Sequence, residues 1–303
     1  MQYRQSFLGM QVRVPIRKQT GIALLQVLLI SAIISVLALY FTITARQQVS
    51  VAQAANDRVL AGLLIRSAES KVLFELLTKE ATDSHLYPLP EGYNFYATPI
   101  EIDQYTKVKI QDVAGLINTE FPDQTLLRRT IQNLGGTADI ASTITDSLLD
   151  WQDSDDLKRL NGAEKGDYEI GPRNAPITLK SEVRLIKGMD DELWRKLEPL
   201  LSVPRASYFN PMMAPEPVLK AYLNSDANDI LDLRRKGSLT RSEFSQLTGV
   251  YDQEGIILSK SDLFRLNIQV NYGQAKLEKE MTVQLDPYAK ADGTVVDSVA
   301  SNW

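Results

Sequence analysis

An uncharged, almost wholly apolar run from residue 22 to residue 41 limits what this chain can fold into more than any other feature. Only Gln26, Ser31 and Ser35 interrupt the apolar side chains. A helix rises about 1.5 Å per residue, so about 20 such residues cross the hydrocarbon core of a bilayer. The sequence therefore predicts one membrane-spanning helix over 22–41, followed by a folded body on one side of the membrane.

The charges on the two sides of this run differ. Arg4, Arg13, Arg17 and Lys18 precede it without any acidic residue, whereas Arg46 is the only base in the first turns after it. Segments rich in lysine and arginine next to a membrane helix stay in the cytoplasm. We therefore expect a cytoplasmic N-terminus and a body on the opposite side of the membrane.

The junction before the apolar run places small residues next to positive charge, in the order Arg-Lys-Gln-Thr-Gly-Ile over 17–22. A secretory signal has the opposite order, with small residues after a shorter apolar region. The arrangement resembles a type IV prepilin leader, which a membrane peptidase cleaves after the glycine on the cytoplasmic side. The resemblance implies cleavage between Gly21 and Ile22 and N-methylation of Ile22. The alternative is an ordinary signal anchor with a chance glycine.

The helical pattern continues beyond the membrane segment. Residues 42–80 contain no proline and only one glycine, Gly62. Their apolar residues recur at nearly helical spacing, at Leu60, Leu64, Ala68, Val72 and Leu76. One helix from 22 to 78 would be about 85 Å long, and its outer half would need a surface to pack on. A membrane helix followed by a separate linker helix is the alternative.

Strand patterns occur in two separate parts of the chain. Aromatic and β-branched residues predict strands over 93–102 and 105–111. Alternating apolar and polar residues predict strands over 262–270 and 279–285, with a turn around 271–273. The residues between these two regions have helical patterns with short loops.

The predicted fold class is α+β, with a long N-terminal helix packed on a small antiparallel sheet and a large all-helical insertion domain. This is the architecture of pilin-like proteins. We assign a leader to 1–21, the long helix to 22–80, the sheet domain to 81–111 and 257–303, and the insertion to 112–256.

Composition excludes several classes of catalytic site. The chain has no cysteine, so it carries no disulfide, thiolate nucleophile or cysteine metal site. A single histidine, His85, excludes sites built from several histidines. The formal net charge of -5 disfavours the phosphate backbone of nucleic acid as the main partner. These cysteine- and histidine-based sites are therefore excluded, and we expect no nucleic acid partner.

Short segments of the insertion, in their order after the leader, carry a resemblance to a known family. They lie at 112–118, 149–155, 161–164 with Tyr168, 181–188, and 214–219. They resemble the minor pseudopilin K family of type II secretion systems over most of the chain. The resemblance implies a non-enzymatic subunit that caps the tip of the pseudopilus and assists initiation of assembly and protein export across the outer membrane.

The same resemblance implies partners and a location. The expected partners are the minor pseudopilins I and J, the major pseudopilin and the prepilin peptidase. The chain would span the inner membrane once, with its N-terminus in the cytoplasm and its C-terminal body in the periplasm.

Gln26 is the fifth residue after the expected cleavage site. Major pilin-like subunits usually carry a glutamate there, and the resemblance implies that this glutamate pairs with the N-terminal amine of a neighbouring subunit. A carboxylate left unpaired in the bilayer would cost about 3 kcal/mol or more. An uncharged Gln26 therefore fits a subunit at the end of the filament. The alternative is a neutral amide that is tolerated in any single-pass anchor.

The densest charge lies at 146–169, where eight acidic residues stand against three basic ones. Carboxylate oxygens bind calcium, but the spacing is not that of an EF-hand, and the residues alone favour a solvated loop that caps helix ends. The resemblance implies a calcium (Ca²⁺) site in the helical domain. Its candidate ligands are Asp153, Asp155, Asp156 and Glu164.

Two segments, 185–193 and 227–250, look like helix-hairpin-helix units, which in some proteins bind nucleic acid phosphates. The first carries three consecutive acidic residues at 190–192, which would repel phosphate, so we expect a scaffold for protein interactions. The basic run at 234–236 supports an alternative, a single-pass DNA-binding protein of competence type.

Overall fold

The computed structural model describes residues 22–79, 89–224, 227–286, 288–289 and 294–302. The predicted leader and His85 lie outside these residues. The first element is helix α1, Ile22–Thr78. All side chains from 22 to 41 are exposed, and within the described residues α1 is the one helix long and apolar enough to cross a membrane. The N-terminal part of α1 therefore fits a single-pass anchor.

One stripe of α1 packs on the sheet. Its buried apolar residues are Ala61, Ile65, Ala68, Val72 and Leu76. The predicted stripe began instead at Leu60 and Leu64, which are only half-buried. Four-residue steps drift by about 40° around a helix of 3.6 residues per turn. The buried stripe therefore takes one three-residue step, from 65 to 68, to stay on one face.

The sheet is antiparallel and lies against this stripe. The strands are β1 (Ile100–Glu101), β2 (Thr106–Asp112), β3 (Ile117–Asn118), β4 (Leu201–Ser202), β5 (Leu263–Tyr272), β6 (Ala275–Leu285) and β7 (Val296–Asn302). Five of them form one sheet in the order β1-β2-β5-β6-β7, and every neighbouring pair is antiparallel. The predicted α+β class, a long helix on a small antiparallel sheet, is confirmed.

The first predicted strand, 93–102, is wrong in its extent, because only Ile100–Glu101 pairs as a strand. The Asn94 side chain closes the preceding backbone into a loop. Its Nδ2 donates to the Thr98 carbonyl oxygen at 3.0 Å, and its Oδ1 accepts from the Thr98 N–H at 3.0 Å. A side chain that hydrogen-bonds nearby backbone in this way competes with strand pairing. Aromatic content alone did not reveal this local competition.

A two-residue turn, Gly273 and Gln274, joins β5 to β6, slightly later than the predicted turn. Helix α1 contacts this turn through Asp57, which is buried and accepts a hydrogen bond from the Gln274 backbone N–H at 3.0 Å. Glu69 of α1 also contacts Lys279 of β6, with 2.5 Å between the carboxylate and ammonium atoms. These polar contacts fix the register of α1 along the hairpin.

Within its described residues the insertion contains six α-helices. They are α2 (Gln124–Asn133), α3 (Ala138–Asp150), α4 (Asp191–Leu197), α5 (Glu216–Leu223), α6 (Asn228–Lys236) and α7 (Arg241–Thr248). Four begin after a side chain that accepts a hydrogen bond from the first turn, a stabilising cap: Asp123, Thr137, Asp190 and Thr240. The prediction of an all-helical insertion is wrong in one respect, because β3 and β4 pair in parallel inside it.

The insertion has its own hydrophobic core, separate from the one under α1. Leu258 belongs to the core of the insertion, and the sheet resumes only at Leu263. The segment 257–260, which the sequence assigned to the sheet domain, therefore packs with the insertion.

Both ends of the insertion meet at Asp112, the last residue of β2. Its carboxyl group is fully buried. One oxygen accepts from the Ala114 N–H at 2.8 Å and the Ser261 hydroxyl at 2.6 Å, and the other accepts from the Ser261 N–H at 2.7 Å. Burial raises the pKa of Asp112, while these hydrogen bonds act in the opposite direction. One side chain thus holds the points where the chain leaves the sheet and returns to it.

The second face of the sheet contacts the insertion through Arg265 of β5. Its neighbours Phe264 and Leu266 face the core under α1, so Arg265 points to the opposite side. Its buried guanidinium donates to the carbonyl oxygens of Pro199 at 3.1 Å and Leu201 at 2.5 Å. Because buried polar groups need partners, these bonds orient the insertion against the sheet.

Gly273→Ala is expected to lower the free energy of unfolding by about 2 to 3 kcal/mol. Gly273 has a φ of 55°, which is strained for alanine. An added Cβ would also lie 2.2 Å from Oδ2 of Asp57. Chemical denaturation of the full chain in detergent, followed by circular dichroism, measures the change.

Gly237→Ala is the matched control, because Gly237 has a φ of 64° and an added Cβ there meets no atom within 4 Å. For this variant the free energy of unfolding should fall by about 1 kcal/mol, which is the cost of the left-handed backbone conformation alone. In an Asp57→Ala background, Gly273→Ala should cost no more than the control. Equal losses for the two glycine variants in the wild-type background would contradict the contact with Asp57.

Asp112→Ala is expected to lower the free energy of unfolding by about 3 kcal/mol or more, because two backbone N–H groups and one hydroxyl would lose their buried acceptor. Asp190→Ala is the control, since this exposed residue accepts one N–H, from Leu193, at 2.7 Å. Its loss should be about 1 kcal/mol. Similar losses in the same denaturation assay would show that Asp112 does not hold the ends of the insertion.

Candidate functional site

The membrane segment contains two of the residues expected to act in processing and assembly. Ile22 and Gln26 lie at the start of α1 and are exposed. Gly21, the predicted residue before the cleavage site, lies outside the described residues. The neighbours of Gln26, such as Leu25 and Val27, are more than 60% exposed. Lipid or other helices must cover an apolar surface of this kind.

The acidic segment 146–169 begins inside α3 rather than in a loop. Asp146 accepts hydrogen bonds from the Arg128 guanidinium at 2.8 Å and from the backbone and side-chain nitrogen atoms of Asn161 at 3.2 and 3.1 Å. Burial raises the pKa of Asp146, but the hydrogen bonds from Arg128 and Asn161 outweigh it and hold the pKa below its usual value. These bonds attach the loop after α3 to the helix itself.

Asp150, the last residue of α3, is fully buried and faces the same loop. One oxygen accepts from the Arg159 guanidinium at 2.5 Å and the other from the Arg159 backbone N–H at 3.2 Å. The same guanidinium also pairs with Asp153. An added Cβ at Gly162 would lie 1.8 Å from a carboxylate oxygen of Asp150, so the approach requires glycine. Asp150 was not among the predicted ligands. Its position four residues after Asp146 places both carboxylates on the same face of α3, and this spacing could have indicated it from the sequence.

Glu164 and Asp153 carry buried oxygen atoms that have no hydrogen-bond partner among the described residues. These are both carboxylate oxygens of Glu164 and Oδ1 of Asp153. Glu164 is only 6% exposed. Burial raises the pKa of Glu164, and the negative charges of Asp150 and Asp153 raise it further. A buried carboxylate without a partner is costly, and a hard divalent cation prefers such oxygen ligands.

The other two predicted ligands lie at the surface. Asp155 and Asp156 are exposed, and Asp155 accepts a hydrogen bond from the Leu157 backbone N–H at 2.8 Å. Across the described ranges, no three acidic or histidine side chains lie together as a metal site would require. The charges of Asp150, Asp153, Asp155 and Asp156 all act on Glu164, so these five side chains form one acidic cluster. Asp155 and Asp156 lie on its exposed side. Carboxylate oxygens are the kind of ligand that calcium prefers.

Asp167 fixes the backbone at Glu164 in this cluster. Its carboxylate lies 2.8 Å from the Lys187 ammonium and 3.0 Å from the Lys158 ammonium, and it accepts from the Glu164 backbone N–H at 3.1 Å. The hydrogen bonds from Lys187 and Lys158 lower the pKa of Asp167 well below its usual value. The main chain at Glu164 is therefore held in place by an ion-pair network.

Two of the three consecutive bases at the end of α6 make contacts within the chain. Arg234 is buried, and its guanidinium donates to the carbonyl oxygens of Met212 and Ala214, each at 2.8 Å. Burial lowers the pKa of Arg234 to about 10. Arg235 pairs with Asp232. These contacts weaken the support that the basic run gave to the DNA-binding alternative.

Known proteins resemble both the insertion and the chain as a whole. A family model described as type II secretion system (T2SS), protein K, matches residues 113–205. The type II secretion system protein K of Pseudomonas aeruginosa is 28% identical over 259 residues, which cover 76% of this chain and 77% of that protein. The Klebsiella pneumoniae protein of the same name is 31% identical over 202 residues, covering 60% and 62%. The match to the Pectobacterium carotovorum protein, at 24% identity, spans 58% of this chain and 60% of that protein.

A solved structure shares the fold. A chain from the GspK-GspI-GspJ complex of the enterotoxigenic Escherichia coli type 2 secretion system superposes with a TM-score of 0.55 and 18% identity, over 82% of this chain and 98% of that chain. The predicted family resemblance is confirmed by the family model, the relatives and this fold. By this family model, these relatives and this fold, the chain is similar to the type II secretion system protein K family.

Proposed function

We propose that this protein is a minor pseudopilin that caps the tip of the type II secretion pseudopilus and assists the start of its assembly. One observation carries the proposal. Helix α1 combines an exposed apolar segment, which contains the uncharged Gln26, with a buried stripe that binds the sheet. A helix of this kind serves both as a membrane anchor and as the contact to neighbouring subunits.

The exposed segment of α1 is the part that would enter the filament. Lipid covers its apolar side chains before assembly, and the helices of other subunits cover them afterwards. A glutamate at position 26 without a neighbouring amine would cost about 3 kcal/mol or more in the bilayer. Because Gln26 carries no charge, the subunit needs no neighbour beyond it and can end the filament.

The proposed partners are the minor pseudopilins I and J, the major pseudopilin and the prepilin peptidase. The similar solved chain belongs to a complex of GspK, GspI and GspJ, and this chain shares its fold. The excess of positive charge before residue 22 supports an N-terminus in the cytoplasm and a body in the periplasm. The role requires no chemical step by this chain, which acts through assembly.

We also propose that the insertion binds calcium through Glu164 and Asp153, with Asp155 and Asp156 as further ligands from the exposed part of the loop. Both oxygens of Glu164 and one oxygen of Asp153 are buried without partners in the described residues. A bound calcium ion would supply positive charge to these oxygens. The chain's own residues would then hold the segment 153–164 against the end of α3.

Gly21→Leu is expected to block removal of the leader and therefore entry into the tip complex. Expressed together with prepilin peptidase and pseudopilins I and J, the wild-type chain should begin at an N-methylated Ile22 and co-purify with both partners. The variant should retain Met1 and lose both. Intact-mass spectrometry and affinity purification from the membrane fraction measure the two results.

Gly9→Leu is the matched control, because Gly9 is a second glycine within the predicted leader but not next to the apolar run. It should leave both processing and co-purification unchanged. A wild-type chain that retains Met1, or one that purifies as a monomer free of I and J under all conditions, would refute the tip role.

Removal of calcium is expected to destabilise the wild-type chain. A ligand at 100 times its dissociation constant stabilises the folded state by about 2.7 kcal/mol, and this gain should appear as a higher melting temperature in calcium than in EDTA. Glu164→Gln should abolish the difference. In EDTA this variant should be at least as stable as wild type, because it removes a buried charge that has no partner.

Glu169→Gln is the control for this experiment, since Glu169 is an exposed acid in the same segment. It should retain the full response to calcium. If wild type and Glu164→Gln melt at the same temperature with and without calcium, the proposed site does not bind the ion.

A further inference from the structure

A groove of about 420 Å³ opens on the insertion, outside the acidic cluster. It lies between the chain around β3, the segment after β4 and the turn at 254–256. Its floor is apolar and well packed, because Leu116, Ile117 and Leu126 are each less than 10% exposed. The volume falls within the range of about 300 to 1,000 Å³ that is typical of ligand-binding sites in proteins.

Aromatic side chains form one wall of the groove. The rings of Phe209 and Tyr222 pack with their centres 5.3 Å apart. The Tyr208 hydroxyl donates to the Lys260 carbonyl oxygen at 3.2 Å. Burial, with the negative charges of Asp112 and others nearby, raises the pKa of Tyr208 to about 12, so the hydroxyl stays protonated. This wall is therefore already ordered before any ligand binds, which reduces the entropic cost of binding.

Phe121 stands at the mouth of the groove and is 60% exposed. The guanidinium of Arg205 lies 4.8 Å from the centre of its ring, a cation–π contact. Aromatic and arginine side chains in such positions contribute most of the binding energy in many protein interfaces. Phe121 thus offers a large apolar surface that nothing within the described part of the chain covers fully.

The charges on the rim select the kind of partner. Asp123 and Glu254 line the groove together with Arg205. One oxygen of Asp123 caps α2, and Arg205 already contacts Phe121. Glu254 is exposed and makes neither a hydrogen bond nor an ion pair within the described residues. The rim is therefore negative on balance, which favours a basic group and disfavours a phosphate or an acidic lipid.

We propose that this groove binds an extended segment of another protein in which a large apolar or aromatic side chain lies next to a lysine or arginine. The apolar side chain packs between Phe121 and the Phe209–Tyr222 wall, and the basic side chain contacts Glu254. This binding surface goes beyond the tip role and does not depend on filament assembly. The groove would let the insertion hold a partner while α1 contacts the other subunits.

The test is a titration of the purified full chain in detergent with two short peptides. Acetyl-Gly-Trp-Lys-Gly-amide and acetyl-Gly-Trp-Glu-Gly-amide, each carrying 5-fluorotryptophan, are followed by fluorine NMR line broadening. The lysine peptide should bind about threefold more tightly than the glutamate peptide, a usual size for an exposed charge pair. Phe121→Ala should weaken its binding by about fivefold or more. Glu254→Lys should reverse the preference between the two peptides.

Leu247→Ala is the matched control, because Leu247 is 52% exposed on α7 and does not line the groove. It should bind both peptides as wild type does, and melting temperatures of all variants verify that they fold. Three results would overturn the proposal: no broadening beyond that of empty micelles, equal affinity for the two peptides, or equal affinity of the Phe121→Ala and Leu247→Ala variants. None of these results depends on whether the chain joins a pseudopilus, so the tip role is tested separately.

Discussion

The joint between the sheet and the insertion is the constraint on which the rest of the body depends. The chain leaves the sheet after Asp112 and returns to it at Leu263. The buried Asp112 carboxyl group accepts hydrogen bonds from Ala114 on one side of this break and from Ser261 on the other. The backbone of Asp112 also pairs with that of Phe264, so β2 and β5 are neighbouring strands where the insertion begins and ends. Loop-closure entropy grows only slowly with length. A long insertion is therefore tolerated once its two ends are held together.

Two hydrophobic cores result from this joint, one under α1 and one inside the insertion. Hydrogen bonds from buried arginine side chains to backbone carbonyl oxygens connect the elements that surround these two cores. Arg265 reaches from the sheet to the chain just before and within β4, and Arg234 reaches from α6 to the turn that precedes α5. Hydrogen bonds are directional, whereas apolar contacts are not. The cores supply stability, and these buried polar contacts define how the parts are oriented.

The insertion carries two features that the anchor helix does not need. At the end of α3, Arg159 neutralises Asp150 and Asp153 in part, while Glu164 remains buried without a partner in the described residues. On another surface, Phe121 and the aromatic wall border an open groove with a negative rim. A helix that only anchored and assembled would gain nothing from either feature. They are the basis for the calcium site and the binding groove proposed above.

Much of the fold was predictable because its signals are local. The length of the apolar run, the absence of proline from residue 22 to residue 80 and the alternation in β5 and β6 depend only on neighbouring residues. These signals identified the anchor, the long helix and the α+β class. Gln26 and the acidic segment were likewise visible in the sequence. Only the tertiary structure decided that Asn94 interrupts a strand, that Asp150 joins the acidic cluster, that Arg234 points inward, and that Phe121 borders a groove. Each of these depends on contacts or burial that neither composition nor periodicity records.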